Sequence, residues 1–472
     1  MRNFTLGSGA QGVFALTFFY ALSVGVLIQW VLLPVFMPGL DAGHGLLKGG
    51  DWVRFHQEAV LLVERIHHEG WAAWELRPQG NAPIGTAAVV YALTGISEPW
   101  VLMPLNAGLF AVGAVCLYLI FACIASRRLA FVATLPYLMF PSAAMIYGQM
   151  HKDAWSIAGS LLVNLVWVRF AVSGKLSWRS LLSQVALVLV GGWLVWVVRP
   201  YLVKVLFAAS ALAVLLLVIR AIAVRGDRHE RQSVRWWIGI FACLIIIVSF
   251  VKLPLGVAVS EVAMPEVAMP EVAVPEVAVS EVAVSEVAVP EVAVPGGGGI
   301  GLAGRLAESV MAHSNNLVSE VVAARNGFTI LYPHAGSNID TGVQFDSVID
   351  MLRYVPRALQ IGLFAPFPEM WGGSGVSPGA DRMRLLAGFE MALAYLLLPG
   401  IILVFIRREH SGPTAIILSQ ALIPILLLAL VVCNVGTLYR MRYSYWQILI
   451  GLGVIGWGLG LQRWNAKCRK IA

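Results

Sequence analysis

Nine side chains in this sequence are of kinds that could handle a hydroxyl group and a phosphate together: Asp41, Asp51, His56, Lys152, Asp153, Arg199, Arg357, Arg440 and Arg442. Asp51 opens a stretch of helical period just after a long apolar run, where a carboxylate could take a proton from a hydroxyl. Asp41 and Asp153 are the further choices for that base. Lys152, Arg199, Arg357, Arg440 and Arg442 are the substrate-binding cations, with His56 beside them; a guanidinium forks onto two phosphate oxygens and so steadies a departing anion. Each position also has a structural reading. Asp51 and Asp153 would serve as helix caps, and Lys152 and the arginines would snorkel to lipid headgroups. His56 lies about 140° round a helix from Asp51, and His67 and His68 about 100° apart, so neither pair has the i, i+4 spacing of a helical metal site. A divalent metal is compatible with the chemistry, but nothing in the sequence demands one. No glycine-rich phosphate loop, Ser-His-Asp signature or HExxH string occurs.

The elements that must position these residues belong to a chain built for lipid. Of its 472 residues 59% are hydrophobic and 12% charged, with a mean hydropathy of +0.79, whereas soluble domains carry about 25% charged residues. This excludes a soluble globular protein and predicts an all-α, polytopic transmembrane helix bundle. About ten spans of roughly 20 residues are expected, near 12–38, 99–124, 129–149, 154–173, 181–198, 202–223, 236–254, 385–406, 414–434 and 444–461. With the N-terminus inside, the inner segments hold 17 Lys and Arg against three acidic residues, Asp227, Glu230 and Glu409, and the outer ones 16 basic and 23 acidic. The positive-inside rule therefore makes both termini cytoplasmic. The net charge of +7 is accounted for by this sidedness and not by nucleic acid, for which no partner role is expected. Cys116, Cys123, Cys243 and Cys433 fall in apolar spans and Cys468 near the end, leaving neither a disulfide framework nor a zinc knuckle.

Four parts follow: a membrane core of seven spans (1–254), a repeat and glycine linker (255–300), an extracytoplasmic or interfacial region (301–384), and three further spans (385–472). The polar regions 39–98 and 255–384 lie outside. In the first, Val60, Leu61, Val63 and Ile66 alternate with charged residues, predicting an amphipathic helix over 51–69 lying on the membrane surface, with Arg54 and Glu58 as an i, i+4 pair. Trp71 and Trp74 read as interface anchors or as platforms for a sugar ring. In the second, Val355–Trp371 is apolar but broken by Pro356, Pro366 and Pro368, which predicts an interfacial or re-entrant element. Between them E-V-A-[V/M]-[P/S] recurs seven times from Glu261 to Pro295. A five-residue period fits neither strand nor helix, so an extended linker is expected. His151-Lys152-Asp153, Arg199-Pro200-Tyr201, Arg440 and Arg442 all fall at the outer ends of spans, and charges gathered in one leaflet point to a common site.

A resemblance enters here. The acidic residue after the first span, the amphipathic helix ending in Gly70-Trp71, the Asn81-Ala82-Pro83 approach to the next span, Tyr91 to Gly95, and Asn106 resemble the GT-C type of integral-membrane glycosyltransferases over roughly the first 200 residues. Lys152-Asp153, Arg199-Pro200-Tyr201, Tyr354 to Arg357, Pro366 to Pro368 and Gly436 to Arg440 are similar to membrane glycosyltransferases and polymerases of bacterial polysaccharide clusters. The resemblance implies a GT-C-like fold and a catalytic aspartate in the first outer loop, which here is Asp51 and then Asp41. It also implies an inverting transfer from a polyprenyl-phosphate sugar donor to a glycan or lipid acceptor, in the cell (inner) membrane among membrane lipids. The adjacent acidic pair of that family is Asp51-Trp52 here. A polysaccharide polymerase and a lipid-linked oligosaccharide flippase are the alternatives; a flippase would show repeated spans and helices broken near the midplane.

Overall fold

The computed structural model describes residues 8–172, 177–223, 316, 318–330, 333, 335–372, 378–405 and 411–471. Among these, the chain is mostly helical and has no strand, only two isolated β-bridges, Asp41 with Leu47 and Asn338 with Asn434. The labelled helices in chain order are α1 (Ser8–Leu27), α2 (Asp51–Glu69), α3 (Ala82–Thr94), α4 (Met103–Ala122), α5 (Arg127–Met139), α6 (Ala143–Gly148), α7 (Asp153–Val172) and α8 (Trp178–Val198), and residues 318–330 are helical as well. They continue as α9 (Pro200–Ala223), α10 (Val348–Phe364), α11 (Pro378–Leu397), α12 (Gly400–Phe405), α13 (Ser411–Val431), α14 (Val435–Met441) and α15 (Tyr443–Ile471). Among the described residues, eight helical segments are long and apolar enough to cross a membrane: Ser8–Phe36, Pro99–Ala122, Asp153–Val172, Trp178–Val198, Pro200–Arg220, Asp381–Phe405, Gly412–Val431 and Tyr443–Asn465. The protein is an all-α, multi-pass membrane protein. The expected span at 236–254 and the pentapeptide repeat lie outside the described residues.

The expected span at 129–149 is two helices, α5 and α6, and not one. Pro141 disfavours helical backbone at the residue before it, and Phe140 is extended with ψ 122°. The amide and hydroxyl of Ser142, freed by that break, both donate to the carboxylate of Glu390 in α11, which also accepts from the Tyr439 hydroxyl. Glu390 is fully buried. At the centre stands α7, in which every residue from Asp153 to Ala171 except Arg169 is buried. It packs against α4, α8, α13 and α15. A Cβ on Gly159 of α7 would come 2.4 Å from the Gly191 carbonyl oxygen of α8, so paired glycines set this contact. The helix carrying Asp153 is thus the most enclosed in the bundle.

The loop after the first span is stapled to the bundle before α2 begins. Past Leu27 the first span continues as a π-helix, Ile28–Phe36, in which the buried Gln29 donates to the Gly148 carbonyl at 2.8 Å. Gly45 has φ +69°, and a Cβ there would lie 2.2 Å from the Gln29 carbonyl oxygen, so only glycine fits. Gln149, in the gap between α6 and α7, accepts from the Leu47 amide at 3.0 Å and donates to the Gly45 carbonyl at 3.3 Å. Asn106 of α4 donates to the Gln149 carbonyl at 3.0 Å. These bonds bring the start of α2 over the start of α7.

The helix expected over 51–69 has those limits, but its buried face differs from the expected one. Trp52, Phe55, His56, Ala59, Leu62, Val63 and Ile66 face inward, while Leu61 is exposed. The inward stripe follows the i, i+3, i+4 rule from Trp52 and so takes in the aromatic first turns. With Ile84, Ala87, Ala88 and Tyr91 of α3, plus Ile28, Leu33, Leu102 and Met150, it makes a small second core. The expected interfacial element is also longer than its apolar run. Helix α10 starts at Val348, capped by the Ser347 hydroxyl, and includes Pro356. The Leu352 carbonyl that loses its partner to that proline belongs to an exposed residue.

Candidate functional site

Four chain junctions meet at one end of the bundle, and each supplies a charge or an aromatic ring. Asp153, the first residue of α7, is buried; its Oδ1 accepts from Arg199 Nη2, and its Oδ2 lies 2.9 Å from His151 Nδ1. Arg199, at the turn between α8 and α9, also donates to the Tyr201 hydroxyl at 3.3 Å. Arg440, exposed in the last turn of α14, places Nη1 3.3 Å from His151 Nε2. From α2, the Trp52 ring stands 5.5 Å from the His151 ring, and the Phe55 ring lies 5.2 Å under Lys152 Nζ. Asp51 is exposed at the first position of α2.

A carboxylate as enclosed as Asp153 requires a counter-charge, which Arg199 provides. Burial works against the Arg199 charge, but Asp153, helped by Tyr201 and Asp51, outweighs it and holds the guanidinium above its ordinary range. Burial, aided by Arg199 and Arg54 and opposed by Asp51 and Asp153, pushes the Lys152 ammonium down to about 8. Asp51 therefore acts on both Lys152 and Arg199 through space. It is not the cap of its helix: Gly50 holds the N-cap position, with no side-chain capping bond, because Asp51 is already one residue inside. Nor does Asp153 act as a simple cap, since its oxygens are turned to Arg199 and His151. Lys152 does not snorkel freely either; it is partly covered by the ring of Phe55.

The other sequence candidates are engaged elsewhere. Asp41 Oδ1 accepts from the Gly43 amide at 2.9 Å and closes its own turn. His56 is buried in the α2–α3 core, with Nδ1 3.0 Å from the Tyr91 hydroxyl and its ring 4.7 Å from that of His44, which pairs with Glu98. Burial and then His44, against Glu98, hold the His56 imidazole below its ordinary range. Arg357 forks onto Asp340 at 2.9 and 3.1 Å, and the Tyr354 hydroxyl donates to the same carboxylate at 2.9 Å. Arg442 is not an exposed phosphate ligand but a buried C-terminal cap. It donates to the carbonyls of Ile361, Gly362 and Ala365 at the end of α10, of which the Ile361 carbonyl also accepts from the Ala365 amide. Trp74 donates to the Gly85 carbonyl at 2.9 Å, while Trp71 is exposed.

Sequence reasoning missed Glu390, Arg325, Gln149 and the part played by His151. Glu390, a lone carboxylate inside an apolar run, was visible as an anomaly. Arg325, buried and donating to the Leu430 and Asp340 carbonyls, sits in a stretch with no such contrast. Among the described residues no group of three or more His, Cys, Asp and Glu side chains could hold a metal ion. A shallow hollow of about 430 Å³ lies between α2 and the 78–84 segment, lined by Glu58, Arg65, His68 and Gln79 among others and by none of the converging residues.

No protein-family model matches this chain, and no curated protein matches it. Fold and site together define a class: a multi-pass, all-α membrane protein with a charged cluster at one end of its bundle.

Proposed function

We propose that the protein is an integral-membrane glycosyltransferase of GT-C-like design. It transfers a sugar from a polyprenyl-phosphate donor to a lipid-linked glycan or other acceptor at the outer face of the cell membrane. The observation that carries this reading is an exposed carboxylate, Asp51, close enough to act on the charges of Lys152 and Arg199, with Arg440 reaching the same buried Asp153–Arg199 pair through His151. In the transfer, the acceptor hydroxyl gives its proton to Asp51 and its oxygen attacks the anomeric carbon. The bond from that carbon to the phosphate oxygen breaks, the configuration inverts, and the lipid phosphate leaves with the electron pair. Lys152 and Arg440 take up the developing phosphate charge at a membrane boundary, where few waters compete. Arg199 works from behind, neutralising Asp153 so that the carboxylate does not repel the donor. A polysaccharide polymerase would use the same step with a growing chain as donor. No step is assigned to a metal.

The test is transfer of radiolabelled sugar from polyprenyl-phosphate sugars by the full-length protein in proteoliposomes. Asp51→Asn should cut turnover about 10²-fold or more with lipid-phosphate binding retained, because the amide keeps the shape but accepts no proton. Full activity of that variant, with the protein folded, would remove Asp51 as the base. Absence of transfer from every polyprenyl-phosphate sugar offered to the wild type would overturn the reading.

A further inference from the structure

We propose that His151 is a positioning residue: in its neutral form it holds Arg440 in place for a phosphate, and on protonation it lets Arg440 go. The proposal rests on the reading above for what Arg440 binds, and on separate geometry for how Arg440 is held. A guanidinium has donors only, so the ring nitrogen facing it, His151 Nε2 at 3.3 Å, has to be the acceptor. The proton of the neutral ring is then on Nδ1, which lies 2.9 Å from Asp153 Oδ2, a buried oxygen with no aligned hydrogen-bond donor of its own. The Asp153 amide is also 3.3 Å from Nδ1, but that longer contact cannot decide the tautomer, since a proton on Nε2 would confront the Arg440 N–H. The ring has little freedom to turn. It is buried, and Trp52 of α2 covers it.

The groups around the ring set the direction of the switch. Asp153 comes from α7, Arg199 and Tyr201 from the α8–α9 turn behind it, Arg440 from α14, Lys152 from the adjoining residue, and Asp51 from α2. Arg199 already claims Asp153, so that carboxylate is not free to follow Arg440. A proton added to Nε2 turns an accepting contact into one between two donors and two cations. Arg440 is the exposed partner, so it is the one that moves away. Phosphate binding then weakens on acidification, through His151 and not through the phosphate alone.

The experiment is binding of farnesyl monophosphate to the full-length protein in nanodiscs, from about pH 7.5 down to about pH 5.5. Wild-type affinity should fall several-fold over that range. His151→Phe should lose about tenfold at the upper pH, no further loss should come from adding Arg440→Gln, and the acid limb should shrink to the part set by the second ionisation of the phosphate, at about pH 6. His151→Gln, whose carbonyl can accept from Arg440 and whose amide can donate to Asp153, should recover most of the affinity that the Phe variant loses and show only the acid limb of the phosphate itself. A purely structural histidine would give the Gln variant the wild-type pH profile, and that result overturns the inference. So does a Phe variant that binds like wild type. Wild-type protein that binds no farnesyl phosphate at any pH would instead fell the phosphate reading itself, and this inference with it.

Discussion

Two of the places where arginine meets aspartate, around Asp340 and around Asp153, form clusters that leave different remainders. Around Asp340 every arginine is engaged by a carboxylate or a carbonyl. Arg357 and Tyr354 saturate the carboxylate, Arg325 spans the Leu430 and Asp340 carbonyls, and nearby Arg442 closes the end of α10. Around Asp153 one arginine satisfies the carboxylate and cations are left over: among the described residues, neither Lys152 nor Arg440 has a carboxylate within ion-pair distance. The first cluster ties chain segments together. The second keeps unspent positive charge beside an exposed aspartate, which is what binding an anion requires. Residue type does not separate the two; whether a cation is left without a carboxylate or carbonyl partner does.

Removing Arg442 should have the largest effect on stability, because it takes the buried donor away from the Gly362 and Ala365 carbonyls at the end of α10. Arg442→Ala should cost about 5 kcal/mol and show as a large fall in Tm in detergent, or as failure to fold. A Tm near that of wild type would mean that the α10 terminus is satisfied by other means. The Asp153–Arg199 pair comes next. Asp153→Asn alone should destabilise by about 3 kcal/mol by stranding Arg199, whereas the double variant with Arg199→Met should recover most of the loss. Additive losses in that cycle would show that the two side chains do not compensate each other.

A smaller effect is expected from Lys152, whose charge fades as pH rises through about 8. Phosphate-lipid affinity should fall a few-fold across that interval, and Lys152→Arg, which stays charged, should flatten the decline. An unchanged profile in the Arg variant would take Lys152 out of the binding step. Smallest is Arg357, since the pair it makes with Asp340 is only partly covered, at 39% and 19% side-chain exposure. Arg357→Gln should cost no more than about 1 kcal/mol. The hydrogen bond from Arg357, opposed by burial, holds the Asp340 carboxyl below its ordinary range. The stability it adds is present above the unfolded value of about 3.9 and is lost as pH falls below it. Wild type and variant should therefore differ at neutral pH and converge in acid; a difference that persisted in acid would assign the effect to packing.

Composition and span length by themselves determined that the chain is an all-α membrane bundle, because lipid leaves a backbone no other way to satisfy its amides where apolar runs are this long. Helical periodicity likewise set the limits of α2, and the position of charges at span ends pointed to His151–Asp153, Arg199 and Arg440 as neighbours. Only the tertiary structure decided which face of α2 is buried, where the third span breaks, and which charges are spent. That Arg442 is consumed by carbonyls of α10 while Arg440, two residues earlier, stays exposed could not be read from GTLYRMR. Long-range packing sets whether a charge finds a partner: the α10 carbonyls reach Arg442 from about 80 residues away in sequence, and no local pattern of residue types encodes that distance.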